Sequence, residues 1–297
     1  MRKSIFVCAV ALALIAGGAV FAQNLNSNDI GYFALQTPDP AAISIDARDN
    51  DWRWFDPAYV IGVDQLKSTV QNPMPDRADW DASFRVAWSA PGQGGEGYEN
   101  MWYVFVLVTD DILSHSTVDP DMGFNEDDVE FSTDMDNGGG NYNDRINAQQ
   151  WTYHLATDGY PHVGHLRFQL PPEMQWGMQP PYGVAAARVE PEGATNLSTN
   201  VTVYYEWKLA AWDTYLPAGP DASTRHNMTA GETVNTVVQV NERDDGGWEN
   251  QIGTCASNKG GNGNDASLMS QFTLLGVGDY ATAVQAESWA AIKALYR

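Results

Sequence analysis

Apolar and polar positions alternate along most of this chain, and helical periodicity is scarce. Short segments rich in Val, Tyr, Trp and Phe are cut by clusters of Gly, Pro, Asn and Asp, the pattern of strands joined by turns. Ala42 to Asp46 ("AISID"), Phe84 to Ser89 ("FRVAWS") and Trp151 to Thr157 ("WTYHLAT") follow or approach the strand period. So do Val201 to Ala210 ("VTVYYEWKLA") and Asn235 to Asn241 ("NTVVQVN"). Met101 to Asp110 ("MWYVFVLVTD") is apolar nearly throughout and predicts a central strand buried on both faces. The set predicts an all-β fold, a β-sandwich or jelly roll of two antiparallel sheets. The proline-rich stretch from Pro171 to Gly183 predicts a loop covering one edge.

The ends follow different rules. Arg2 and Lys3, an apolar run from Ile5 to Val20, and small residues up to Ala22 predict a secretory signal peptide over residues 1–22. Cleavage near Ala22 would make the protein secreted or periplasmic. No later segment supplies the roughly 20 apolar residues of a membrane span. Residues 23–40 read as a leader strand or extended arm, and 41–275 as one sandwich domain. Residues 276–297 form a tail in which Trp289, Ile292 and Leu295 fall at helical spacing, predicting a short C-terminal helix.

Composition narrows the partners. The chain holds 38 Asp+Glu against 16 Lys+Arg, a formal charge of −22. Losing Arg2 and Lys3 with the leader leaves 14 basic residues against the same 38 and lowers the charge to −24. Such a surface repels phosphate backbones and anionic lipid, which argues against nucleic acid and membrane; it suits neutral ligands and divalent cations. Of the two cysteines, Cys8 lies in the leader, so Cys255 has no partner for an intramolecular disulfide. Eleven Trp and thirteen Tyr exceed what a core of this size requires, and aromatic faces stack on sugar rings as well as on each other.

The densest chemistry lies between Asn125 and Asn147, "NEDDVEFSTDMDNGGGNYNDRIN", with seven carboxylates, three consecutive glycines and one arginine. Within it, Val129, Phe131, Thr133 and Met135 alternate with Asp128, Glu130, Ser132, Asp134 and Asp136. Three readings compete. Same-face strand neighbours lie about 7 Å apart, which suits the paired carboxylates of an inverting glycosidase, Asp128 and Glu130. Asp134, Asp136 and Asn137 before a glycine run offer hard oxygen ligands for calcium, although Arg145 stands where an EF-hand needs a bidentate Glu. Glu130, Arg145, Asn147 and Phe124 would make a polar wall with an aromatic at its mouth, suited to sugar hydroxyls. A second acidic loop, Asp46 to Trp52 ("DARDNDW"), has the same calcium-or-turn ambiguity.

Other constellations are weaker. His162 and His165 have metal-like spacing only on a helix, which the surrounding strand-and-glycine pattern opposes. G-x-S-x-G, H-E-x-x-H, a phosphate loop and C-x-x-C-H are all absent from the sequence. Met101, Met122 and Met135 with the five histidines leave b-type haem, in an electron-transfer subunit on such a sandwich, as an alternative. A structural or assembly role through the C-terminal tail is a third.

Five segments taken in order, "AISIDARDNDWRW", "MWYVFVLVTDD", "FNEDDVEFSTDMD", "YYEWKLAAW" and "VVQVNERDDGGW", resemble the family-nine carbohydrate-binding modules. The likeness runs from about Ala42 to Leu275, and its most specific pieces are Asp128 to Glu130 and Gln239 to Asn241. It implies a non-catalytic β-sandwich that holds the end of a glucan or xylan chain between two aromatic rings. Structural calcium would sit elsewhere, and a glycosidase or a surface assembly would be a partner. The family's Glu falls on Glu130, one aromatic clamp on Phe124 (not Trp), the Arg-x-Asn pair on Arg145 and Asn147, and the strand Gln on Gln239. The second clamp is missing: Asn258 to Gln271 contains no aromatic, and Trp248 is the nearest substitute, at a different spacing.

Overall fold

The computed structural model describes residues 31–115, 124–155, 165–168, 172–244, 247–255 and 263–283. The expected signal peptide, most of the tail, Met122 and His162 lie outside these residues. In chain order the strands begin with β1 (Tyr32–Gln36), β2 (Ile61–Gly62), β3 (Lys67–Ser68), β4 (Trp80–Trp88) and β5 (Met101–Ile112). They continue with β6 (Asp128–Asp134), β7 (Gln149–His154), β8 (His165–Phe168), β9 (Gly183–Glu190) and β10 (Thr199–Ala210). The last are β11 (Trp212–Thr214), β12 (Thr224–Arg225), β13 (Thr233–Asp244), β14 (Gly247–Gly253) and β15 (Ser270–Leu275), followed by helix α1 (Val277–Ala283).

Hydrogen bonding runs continuously in the order β8-β7-β6-β13-β15-β1-β4-β5-β10-β9. The fold is nevertheless a sandwich, because the two halves of this path pack face to face. The Phe131 ring of β6 lies 5.6 Å from Trp102 of β5 and 6.2 Å from Trp207 of β10. Tyr153 of β7 lies 5.7 Å from Tyr205 and 6.1 Å from Trp207. These rings alternate with outward-facing residues along their strands, as the sequence period requires. Truncating one of them to Ala would cost about 3–5 kcal/mol.

The two layers of the expected sandwich are joined at one edge by β1. Leu35 pairs with Leu275 of β15 and with Ala87 of β4, both in parallel register, so one short strand turns the corner between layers. The leader segment is therefore built into the sandwich from Tyr32, ahead of the boundary at residue 41. β5 is the central buried strand its composition predicts, flanked by β4 and β10.

The segment Ala42 to Asp46 is not a strand. Pro40–Ala42 forms a 3-10 turn capped by the Asp39 side chain, and the chain then crosses the outer face of β5 and β10. Glu206, outward on β10, pulls it down. Its carboxylate accepts from Asp46 N at 2.9 Å, Ala47 N at 2.8 Å and Trp52 Nε1 at 2.7 Å. Strand-like composition loses here to a buried acceptor that needs donors. Pro172–Met178 is likewise a 3-10 turn, and its Trp176 stacks on Tyr215 at 4.4 Å. At the other end, α1 docks on β1 through Tyr280, whose hydroxyl donates to Gln36 O at 2.7 Å.

Candidate binding site

The acidic strand β6 alternates as predicted, yet every one of its residues is buried. Its polar face is turned away from the sandwich core. There β13 sets Gln239 opposite Glu130 and Asn241 opposite Asp128, and β7 sets Gln150 opposite Ser132, diagonal to Glu130. Glu130, 1% exposed, accepts from Gln150 Nε2 at 2.6 Å, Gln239 Nε2 at 2.6 Å and Asn241 Nδ2 at 3.0 Å. Burial pushes its carboxyl up, and the three amides and the Arg145 charge pull it back. Asp128 shares the Asn241 amide at 2.6 Å and is pushed well up by burial and by Glu130 beside it. The Asn241 amide thus fills the gap between the two carboxylates, where an inverting glycosidase keeps its water.

Asn241 also faces outward. Its Oδ1 accepts from Trp248 Nε1 at 3.3 Å and from Gln251 Nε2 at 3.1 Å, both on β14. Trp248 is 38% exposed, so an accessible aromatic face is joined through a single amide to the buried carboxylate.

The cover over this polar face is local. Arg145 adopts a left-handed backbone conformation with φ 56° and is buried. Its guanidinium lies 4.5 Å from the Tyr142 ring and donates to Tyr142 O at 3.2 Å and to Gly263 O at 2.6 Å. Tyr142, Ala148, Val237, Ala266 and Met269 form a second, smaller apolar core on the same side. That cluster is why a strand of three carboxylates is dry.

Of the residues expected at the site, Glu130 and Gln239 are in direct contact, and Trp248 reaches them through Asn241. Arg145 stands close enough for its charge to act on Glu130. Phe124 is half-buried and Asn147 exposed, so neither belongs to the buried network. Asn241, Gln150 and Gln251 were not anticipated. The signal for Asn241 is the strand period itself, two residues beyond Gln239.

The expected calcium loop has other uses for its ligands. Asp134 accepts from Gly138 N at 3.2 Å, Gly139 N at 2.9 Å and Asn235 Nδ2 at 3.3 Å, and burial pushes its carboxyl up to about 6. Asp136 accepts from Gly138 N at 3.0 Å, and Asn137 donates to Thr233 O at 2.6 Å. These side chains close the turn. The acidic loop at Asp46 is held by Glu206, as described above. For the haem alternative, the Met101 and Met135 sulfurs are taken by Arg225 at 3.6 Å and Thr133 at 3.0 Å.

Solved structures share this architecture. A family-nine carbohydrate-binding module from Caldicellulosiruptor kristjanssonii in complex with cellotriose superposes with a TM-score of 0.53. The identity is 15%, over 85% of this chain and 97% of that one. A family-nine module from the same organism in complex with glucose gives 0.51 at 15% identity, over 82% and 95%. No protein-family model and no curated protein matches the sequence. What is shared is the fold: a β-sandwich like that of the family-nine carbohydrate-binding modules, as the sequence resemblance implied.

Proposed function

We propose that this is an exported, non-catalytic carbohydrate-binding protein that recognises ends of glucan or xylan chains. The observation that carries the reading is the amide–carboxylate network around Glu130, joined through Asn241 to the exposed Trp248 ring. An aromatic face beside fixed donors and acceptors is what pyranose recognition uses: the ring takes the apolar sugar face and the amides take its hydroxyls. Three of the four or so acceptor positions of Glu130 are filled, which leaves one for a hydroxyl. In this reading Trp248 makes first contact. Glu130 and Gln239 form the floor that the chain end reaches when the cover at Tyr142 and Arg145 yields.

The cellotriose and glucose complexes of the structural neighbours support this ligand class. The placement of the Asn241 amide between Asp128 and Glu130 supports a binding role over hydrolysis. Titration of the full chain with cellotriose and xylotriose tests the reading. Saturable binding that Trp248→Ala and Glu130→Gln both weaken supports it. Folded protein that binds no oligosaccharide of either series refutes it, and an assembly role of the scaffold then replaces it.

A further inference from the structure

A cavity of about 210 Å³ opens where the loop ahead of β5 meets the turn ahead of β9 and the β11–β12 hairpin. Glu96, Glu99, Tyr182, Trp212, Asp221 and Arg225 line it. From here β5 runs to the other end of the sandwich, where Asp110 converges with Asp127 and Glu242, and Asp111 with Asp79 and Asp244. The Glu130 network lies in the opposite layer, on the outer face of β6 and β13. The cavity is therefore separate from both.

Its walls are fixed before any ligand arrives. Trp176, stacked on Tyr215, meets the Tyr182 and Trp212 rings edge-on at 5.4 Å and 5.0 Å. Tyr182 is thereby held in place while its ring stays half-buried. The Arg225 guanidinium lies 5.0 Å from the Trp212 ring, and Nε donates to Ala211 O at 3.2 Å. Nη2 donates to Glu99 O at 2.9 Å and Asn100 O at 2.6 Å, which leaves the N–H groups of Nη1 for a ligand. The loop is pinned as well: Glu99 accepts from the Gly92 N–H, and Lys208 Nζ donates to Gly97 O at 2.8 Å. Gly97, at φ 78°, closes on Pro181, and a Cβ there would stand 3.2 Å from the Pro181 Cβ. Such preorganisation lowers the entropy cost of binding.

We infer that this cavity is a second carbohydrate site, taking one pyranose ring through a pair of neighbouring hydroxyls. Three carboxylates against one guanidinium turn away phosphates and other anions. Glu96, Glu99 and Asp221 are not among the acids that converge on a point, so they do not form an ion cage. A donor at Arg225 beside acceptors at Glu99 and Asp221 matches hydroxyls, which accept and donate at once. Tyr182 supplies the ring surface for the apolar sugar face. The volume is below the ~300–1,000 Å³ usual for ligand pockets, so it admits a single ring and not an oligosaccharide. The ligand class rests on the reading proposed above, but the site does not depend on the Glu130 network. With both sites filled, the protein would grip two points on a polysaccharide, and avidity would exceed the affinity of either.

The test titrates the full chain with cellotriose and xylotriose, beside a double variant, Trp248→Ala with Glu130→Gln, that removes the network site. Melting curves check that each protein is folded. The double variant is expected to keep weaker, saturable binding. Adding Tyr182→Ala should reduce that remainder about tenfold, the worth of one aromatic contact. Asp221→Ala, an exposed change that leaves the packing intact, should reduce it severalfold. A folded double variant that binds nothing, while wild type binds, would overturn the inference. So would a remainder indifferent to both Tyr182→Ala and Asp221→Ala. Binding that Tyr182→Ala weakens and Trp248→Ala leaves untouched would uphold the cavity and refute the Glu130 reading. No binding by wild type would overturn both.

Discussion

Glu130 and Trp248 sit on different strands, one buried and one exposed, and the side chain of Asn241 touches both. Its Nδ2 donates to Glu130 at 3.0 Å and its Oδ1 accepts from the Trp248 indole at 3.3 Å. This orientation of the amide is forced, because Nδ2 must also serve Asp128 at 2.6 Å while Oδ1 serves Gln251 at 3.1 Å. The network therefore fixes the direction of Asn241, and through it one edge of the indole.

Removing the carboxylate should expose how much the network depends on it. Glu130→Ala takes the acceptor from one N–H each of Gln150, Gln239 and Asn241, of which Asn241 keeps its bond to Asp128, at about 1–3 kcal/mol for each N–H that stays unpaired. Urea denaturation is expected to show a loss of at least ~2 kcal/mol. Glu130→Gln keeps one acceptor oxygen and should lose clearly less. Equal stability of Glu130→Ala and wild type would mean the amides find partners elsewhere.

Trp248 makes the opposite prediction. Its ring is partly exposed and stacks on no other aromatic among the described residues, so Trp248→Ala should shift stability by no more than ~1 kcal/mol. If the ring is a sugar platform, the same change should weaken oligosaccharide affinity about tenfold, the equivalent of ~1.4 kcal/mol. A melting curve and a titration on the same sample separate the two effects.

Gly253 tests the hairpin that carries these residues. A Cβ built there would lie 2.5 Å from the Gln239 Cβ and 2.7 Å from Val238 O, so Gly253→Ala must push β14 away from β13. A loss of roughly 1–3 kcal/mol is expected, as for other overpacked positions. A stability unchanged by Gly253→Ala would contradict the pairing of Gly253 with Gln239.

Two groups away from the acidic clusters predict a pH dependence of stability. Burial pushes the Glu206 carboxyl up from 4.5 to about 7, against the pull of Trp52, Asp46 and Ala47. A raised acid holds its proton more tightly in the folded state, so its contribution is full below about 4.5 and is lost as pH rises through about 7. The size is on the order of 3 kcal/mol. Glu206→Gln should flatten stability across that window. For His226, burial lowers the imidazole, but Glu232 at 2.9 Å and Asp213 at 2.6 Å outweigh it and leave the ring above its ordinary value. Its contribution is full below about 6.5 and fades as pH rises through the raised value, and His226→Gln should remove that fading. Denaturation series at matched pH check both signs.

The strands were legible because their apolar residues keep the period of two, and β5 because it has no polar face to alternate. Ala42 to Asp46 misled for a physical reason: Glu206, 160 residues away, accepts from its backbone, and no local pattern reveals that. The acidic strand was readable as a strand, but its burial was not, since the cover comes from Tyr142, Arg145 and the residues around Met269. Asn241 was within reach of the strand period, two residues beyond the Gln239 that the family resemblance supplied. The convergence of Asp110, Asp127 and Glu242 was not, because they meet only through the pairing of distant strands.

The account rests most directly on whether the Glu130–Asn241–Trp248 network meets a sugar. Calorimetric titration of the folded full chain with cellotriose, beside Glu130→Gln and Trp248→Ala, measures that. Saturable binding by wild type that both substitutions weaken is the predicted result. Heats no larger than dilution for wild type, across gluco- and xylo-oligosaccharides alike, would contradict it.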